Sequence, residues 1–275
     1  MQKKVCPICF ADVKFSFVSK NNYEIYRCKN NNCNHYFLLE PKKGQGIHTR
    51  NDNLTIESDK NLREFGERNK RLLKLFLKKI PRSKKYKFLD FGSGCAHISR
   101  SFKMILGKKA KIYCLEANQK CSRFYPKWDL IPVSNLEEIE EKIDIVYMIE
   151  VIEHLKYPRE ILLNLKKVMD KNSLLFLSTP PGYYDEKYTN AYENPTHIHF
   201  FTPESLNNLL TSIGFKKLSF DSFSEMYPLQ KKPSFIKEII YNIKVFLKKT
   251  FINTQRKYYK KKYPFHLVGF TKLEI

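Results

Sequence analysis

Apolar positions along this chain repeat with two periods, and the places where one gives way to the other outline its elements. From Lys87 onward, short runs rich in β-branched and aromatic residues fall at 88–91, 112–115, 143–148, 174–178, 215–220 and 266–272, separated by stretches of helical spacing. Continuous apolar runs of this length suit strands buried on both faces, and their alternation with helices predicts a doubly wound sheet. The expected architecture is α/β: seven strands, mostly parallel, with helices on both faces. Ahead of it, Leu62, Phe65, Leu72, Leu73, Leu75, Phe76 and Ile80 recur as one face of a helix that ends before Pro81.

The N-terminal region has a different pattern. Alternating β-formers at 13–17 and 23–26 lie between Cys6-Pro7-Ile8-Cys9 and Cys28-Lys29-Asn30-Asn31-Asn32-Cys33. A hairpin would bring two such cysteine turns together so that four thiolates close a tetrahedron, which predicts a zinc ribbon over residues 1–43. Cys6, Cys9, Cys28 and Cys33 are the expected ligands of a structural Zn²⁺. The second pair has a longer spacer and His35 follows it closely, so His35 in place of one thiolate is an open alternative. Residues 44–80 read as linker and helix, and 81–275 as the main domain. Within that domain a basic insertion at about 228–262 carries Phe235, Ile236, Ile239, Ile240, Ile243, Phe246 and Leu247 at helical spacing among lysines. Such a helix packs on its own domain or a twin subunit, lies on an anionic bilayer, or meets nucleic acid.

Composition narrows this picture only slightly. A hydrophobic fraction of 42% and an aromatic fraction of 14% belong to a folding chain rather than a disordered one. The formal net charge of +22 favours polyanionic partners, although a lysine-rich composition bias explains part of it. With no signal-like start and no long apolar stretch, a cytoplasmic location is the expectation, with peripheral contact to the inner face of the membrane through the basic helix. Four of the seven cysteines are the paired ones, which in a reducing compartment favours metal over disulfides; Cys95, Cys114 and Cys121 read as ordinary buried thiols.

The chemistry begins at the first strand of the main domain. Phe88-Leu89-Asp90-Phe91 runs into Gly92-Ser93-Gly94-Cys95-Ala96 and then into a helix. Glycines are needed where a ligand approaches backbone at the carboxyl end of a strand. The second strand ends in Glu116-Ala117, where a carboxylate accepts hydrogen bonds from both hydroxyls of a ribose. Together these point to an adenosine-containing cofactor.

The fourth strand and its continuation, Ile143-Asp144-Ile145-Val146-Tyr147-Met148-Ile149-Glu150-Val151-Ile152-Glu153-His154, resemble the class I S-adenosylmethionine (SAM)-dependent methyltransferases. Within these the segment is similar to the ubiquinone-biosynthesis O-methyltransferases and many sugar methyltransferases. The downstream run Asn194-Pro195-Thr196-His197-Ile198-His199-Phe200-Phe201-Thr202-Pro203 is similar to the same branch. The resemblance implies a Rossmann-like fold with the methionine of SAM over Gly92 and Gly94, its ribose at Glu116 and its adenine near Ser134, Asn135 and Leu136. It also implies that Asp90 steadies the loop and the cofactor's ammonium end, and that the methyl of Ala96 comes close to the cofactor.

Glu150, Glu153 and His154 have the spacing i, i+3, i+4 and would share one side of a helical turn. Three roles are open for them: His154 as general base, a divalent metal held by Glu150, Glu153 and His154, or a structural cluster. His197 and His199 alternate along an extended segment and are further candidates for the active-site mouth. Tyr183, Tyr184 and Tyr192 are candidate walls of the acceptor pocket. The expected activity is methyl transfer to a small polar acceptor, foremost O-methylation of a sugar, a nucleotide-linked sugar or another precursor of a cell-surface polysaccharide. The alternatives are an RNA methyltransferase using ribbon and basic surface, and a binding protein that keeps the fold without catalysis.

Overall fold

A computed structural model describes residues 4–19, 21–41, 72–73, 76–81, 83–123, 125–182, 196–223 and 266–273. The linker at 44–59, Tyr183, Tyr184 and Tyr192, residues 194–195 and the basic insertion lie outside the described residues.

The main sheet has seven strands: β4 (Tyr86–Phe91), β5 (Ala110–Leu115), β6 (Ile131–Val133), β7 (Ile143–Ile149), β8 (Met169–Thr179), β10 (Ser219–Phe223) and β11 (His266–Lys272), in the order β10-β11-β8-β7-β4-β5-β6. Neighbours from β6 through β8 pair in parallel; β11 runs antiparallel to both β8 and β10. The sheet therefore grows outward from β4 in both directions, to β5 on one side and β7 on the other. In such folds, ligands bind in the crevice at the carboxyl ends of the strands where the direction of winding reverses.

The expectation of helices on both faces holds. On one face Phe88, Ile112, Ile145, Tyr147, Phe176 and Phe270 pack with Leu72, Leu73, Phe76 and Phe102, the last on α1 (His97–Leu106). On the other, Leu89, Val146, Met148, Leu175 and Leu177 pack with Leu162 and Leu165 of a helix at Pro158–Val168 and with Leu206, Leu209 and Leu210 of another at Pro203–Thr211. A four-residue helix, α2 (Gln119–Ser122), follows β5, so these two are α3 and α4. Period-2 alternation between two buried faces is why the central strands read as unbroken apolar runs. Helix α4 starts at a capping box, Thr202 with Ser205, and has proline at its first position. Among the described residues no helix is long and apolar enough to cross a membrane.

The run at 215–220 is not a strand from its start. Phe215 makes only an isolated bridge to Leu273, and Phe215 and Leu218 are buried in the connection after α4. These apolar residues anchor a packed loop, and pairing begins at Ser219.

The N-terminal strands β1 (Val13–Val18), β2 (Glu24–Cys28) and β3 (Tyr36–Leu38) form an antiparallel meander. It does not stand apart. β3 pairs with β9 (His199–Phe200) from the main domain, so the second sheet runs β1-β2-β3-β9.

Candidate active site and metal centre

The four paired cysteines converge. Sγ of Cys6 lies 4.0 Å from that of Cys33, Sγ of Cys9 lies 3.4 Å from that of Cys28, and all four sulfurs are within 4.8 Å of one another. Each pair ends in the same knuckle: the residue after its second cysteine, Phe10 or Asn34, is left-handed. Backbone N–H groups of Ile8 and Asn30 donate to Sγ of Cys6 and Cys28, each at 3.4 Å. The Cys33 thiol donating to Cys6 lowers the Cys6 thiol to about 6, whereas burial raises Cys28 to about 12. A cation bound by thiolates would be favoured by such donors.

His35 is not with the sulfurs. It is fully buried, with Nε2 3.1 Å from Nδ1 of His199 and Nδ1 3.3 Å from Oγ of Ser205. The alternative in which it replaces a thiolate therefore gives way, because the ring is turned toward the main domain.

At the cofactor crevice, N–H groups of Gly92 and Ser93 donate to the Leu115 carbonyl at 2.8 and 3.2 Å, binding the glycine turn to the end of β5. Glu116 bridges the same two loops, accepting from Gly94 N–H at 2.7 Å and Asn118 N–H at 2.8 Å. Gly92 and Gly94 are both left-handed, φ +73° and +52°. A side chain at Gly92 would strike Val151, with Cγ2 only 2.6 Å from an added Cβ, whereas among the described residues nothing lies within 4 Å of one at Gly94. The turn is thus closed on one side and open on the other.

Asp90 points back into the fold. Ser99 Oγ donates to its Oδ2 at 2.6 Å and also meets Tyr147 OH at 2.5 Å; burial lifts the carboxyl to about 7. Ala96 is left-handed and 1% exposed, in the apolar cluster that also holds Phe102, Cys121 and Tyr125. Ser134 and Asn135 follow β6 and are exposed; the Asn135 side chain accepts from N–H of Glu137 and Glu138, capping the short helix Leu136–Glu138. Ala117 is exposed beside Glu116.

Tyr125 is a residue that the sequence did not single out. Its buried hydroxyl donates to the Gly94 carbonyl at 2.6 Å and lies 2.7 Å from Ser93 Oγ. No motif surrounds it; an aromatic following the second-strand acid was the only available signal. Cys95, in the turn after β4, and Cys121, on α2, have sulfurs 3.5 Å apart.

At the end of β7 the expected trio separates. Glu150 has φ +58° and accepts from Ser178 Oγ, while only Ile152–His154 forms the helical turn, a 3₁₀ one. The three side chains do not share one helical face because the left-handed step at Glu150 precedes that turn. Its place beside Glu153 and His154 is taken by His197, the three residues offering ligand atoms within 4.8 Å of one another. Glu153 accepts from Thr179 Oγ1 at 2.9 Å, and its Oε1 lies 3.7 Å from His154 Nε2 and 4.0 Å from His197 Nε2. Nδ1 of His154 is 2.9 Å from the Thr196 carbonyl; since a carbonyl only accepts, Nδ1 carries the proton and Nε2 presents its lone pair. Val151, whose side chain closes Gly92, joins this cluster to the glycine turn. His199 does not join it. Its ring faces His35, and burial holds it down to about 4.

Residues 60–219, more than half the chain, match the family described as methyltransferase domain. No curated protein matches the sequence. Among solved structures, the chain is similar to one in the complex between the Haloferax volcanii Trm112 methyltransferase activator and a methyltransferase. Identity is 12% and the TM-score 0.56, over 79% of this chain and 95% of that one. A SAM-dependent methyltransferase from Archaeoglobus fulgidus is 22% identical, with a TM-score of 0.50 over 74% of this chain and 93% of that one. The [4+2]-cyclase SpnF is 12% identical, with a TM-score of 0.52 over 74% and 81%. At these identities the likeness is one of fold, and the cyclase is a reminder that fold alone does not set the reaction.

Proposed function

Because this chain belongs to the methyltransferase-domain family and is a class I SAM-dependent methyltransferase, we propose that it methylates an oxygen of a small polar acceptor, a sugar or nucleotide-linked sugar. The observation that carries the reading is the buried Glu153, His154 and His197 group beyond the end of β7, which begins two residues after the valine that closes the glycine turn. A hydroxyl acceptor becomes a good nucleophile when a base takes its proton, a demand that a neutral amine does not make. His154 offers Nε2 for that proton, with Nδ1 fixed on Thr196 and Glu153 placed to stabilise the imidazolium. The remaining demands are alignment with the sulfonium and exclusion of water, which a buried group at the crevice mouth serves.

In this reading Gly92, Gly94 and Glu116 seat the methionine and ribose of SAM, and Ser134, Asn135 and Leu136 border its adenine. Zn²⁺ fits the four cysteines: sulfur separations of 3.4 and 4.0 Å bracket the edge of about 3.8 Å that a tetrahedron with ordinary zinc–sulfur bonds requires. A catalytic divalent metal fits Glu153, His154 and His197 better than the trio with Glu150; one carboxylate and two imidazoles suit a transition metal more than Mg²⁺. When bound, such an ion would acidify the acceptor hydroxyl.

The competing reading is RNA. It draws on the net charge of +22 and on the ribbon's outer face, where exposed Phe15 meets Tyr26 edge-on and Lys4 lies over the Tyr26 ring. Aromatic and cationic groups of this kind stack on single-stranded bases.

The test is calorimetric titration with SAM and S-adenosylhomocysteine, using Glu116→Ala as control, followed by methyl transfer from labelled SAM to nucleotide-sugars and to RNA. Saturable binding weakened by the substitution and label in the nucleotide-sugar are expected. Label in RNA alone would replace this reading with the competing one, and absence of binding by folded, zinc-loaded protein would overturn both.

A further inference from the structure

The N-terminal module and the Glu153, His154 and His197 group are joined by one short piece of chain. Residues 196–201 carry His197 on one side and β9 on the other. β9 is held by β3, with Tyr36 opposite Phe200 and Phe37 opposite His199, and Leu38 N–H donates to the Ile198 carbonyl at 3.0 Å. The Ile198 N–H donates at 3.0 Å to the carbonyl of Glu153 itself. A strand of two residues cannot hold its own position, and nearly all of its support is contributed from outside it.

The contacts around it come from the cysteine turns. Thr202 Oγ1 donates to the Cys33 carbonyl at 3.4 Å, and the Asn208 side chain donates to the Asn32 carbonyl at 2.7 Å. Cys6, Ile8, Cys28 and Cys33 lie in the same apolar cluster as Phe201 and Leu206. At the centre His35 bridges Ser205 on α4 and His199 on β9, and its ring stacks on Phe37 and lies 4.9 Å from Phe201. His35 is fully buried, and His199 is buried with it.

We infer that the cysteine module is the outer wall of the acceptor site and that His35 is a positioning residue, which fixes His197 and His154 by holding β9. Among the described residues, the hydrogen bonds that shape the cofactor half of the crevice run between β4, β5 and their loops, and none of them comes from the module. Formation of the metal knuckles thereby governs the acceptor half alone: a chain without its zinc binds cofactor but lacks an assembled acceptor site. This rests on the reading of Glu153, His154 and His197 given above for its functional meaning, though not for its geometry.

The experiment is imidazole ¹⁵N spectroscopy on the full zinc-loaded chain, beside calorimetry with S-adenosylhomocysteine, for the unaltered protein, the chelated protein, His35→Ala and His35→Gln. Removal of the ring should shift or broaden the signals of His197 and His154, which His35 does not touch. S-adenosylhomocysteine affinity should remain within about twofold, as for uncoupled sites. The glutamine variant, able to bridge Ser205 and His199, should restore the signals, and chelation should reproduce the alanine result. His197 and His154 signals unchanged in His35→Ala despite a lower Tm would overturn the inference, as would cofactor affinity falling in step with the loss of those signals. If the unaltered protein binds no S-adenosylhomocysteine, the enzyme reading fails, while the imidazole signals still decide whether His35 positions β9.

Discussion

Gly92 and Gly94 are two residues apart in one turn, yet alanine at each should fail in a different way. At Gly92 two costs add. A left-handed alanine gives up about 1 kcal/mol relative to glycine, and its methyl would stand 2.6 and 2.9 Å from the two γ carbons of Val151, well inside ordinary contact. Overpacking of that kind costs about 1–3 kcal/mol, so Gly92→Ala should destabilise by about 2–4 kcal/mol and lower Tm by roughly 4–16 °C. At Gly94 only the backbone cost applies, since no described residue lies within 4 Å of the added carbon; about 1 kcal/mol corresponds to roughly 2–4 °C. The open side of Gly94 is where the proposed cofactor seat lies, and a methyl there should cost about 1–3 kcal/mol of binding, a loss of roughly 5- to 150-fold. Thermal melts and calorimetry with S-adenosylhomocysteine on both variants separate the two effects. Wild-type affinity in Gly94→Ala would refute the assignment of that space to the cofactor, and equal melting of the two variants would refute the packing of Val151 on the turn.

Tyr125→Phe removes a buried hydroxyl that donates to the Gly94 carbonyl; a loss of about 1–2 kcal/mol and weaker S-adenosylhomocysteine binding are expected from denaturant unfolding and calorimetry. Asp90, raised from 3.8 to about 7, holds its proton more tightly folded than unfolded, so its contribution to stability falls as pH rises from 3.8 to about 7 and is level above. The shift corresponds to a ceiling of about 4 kcal/mol. Urea unfolding at pH 5 and 8 should therefore show Asp90→Asn gaining on the native chain toward pH 8, and parallel profiles would contradict the burial argument. His154→Asn should leave cofactor affinity intact while lowering methyl transfer by about 10²-fold or more, checked by calorimetry with S-adenosylhomocysteine and by transfer from labelled SAM.

Sequence reading succeeded where the determinants are contiguous. The glycine turn, the acid ending the second strand and the alternation of buried strands each occupy a few consecutive residues, and β4, β5 and β7 appear where the apolar runs place them. The acceptor side was legible only in part. His154, Glu153 and His197 meet, but the helical-spacing rule that grouped Glu150 with them assumed a regular turn, and the left-handed step at Glu150 breaks it. β9 has two residues and no periodicity to detect, and the pairing that makes it a strand lies more than a hundred and sixty residues away in the chain, as the separation of 164 between His35 and His199 shows. Alternation at 197 and 199 did imply a shared side for the two histidines. Instead one faces Glu153 and the other faces His35, because the strand begins only at His199.

Strain marks the same division. Of the non-glycine residues with positive φ, Ala96 closes the turn after β4 and Glu150 directly follows β7, on the two sides of the crevice. A left-handed residue of this kind costs about 1–2 kcal/mol, and it persists only where the surroundings over-determine it. Ala96 is over-determined by burial: it is 1% exposed, belongs to the apolar cluster that includes Phe76 and Phe102, and starts α1 without a side-chain cap. Glu150 is half-buried and held by polar contacts, its N–H donating at 2.8 Å to the Ser178 carbonyl and its carboxylate accepting from the Ser178 hydroxyl. The first strain is therefore fixed by packing and is indifferent to ligand, whereas the second is held by a hydroxyl and a carboxylate at the crevice. Ser178 thus connects the strand that carries Glu150 to the strand that continues through Thr179, which donates to Glu153. Two adjacent hydroxyls on β8 hold the two carboxylates apart, and that separation leaves the space beside Glu153 to His154 and His197.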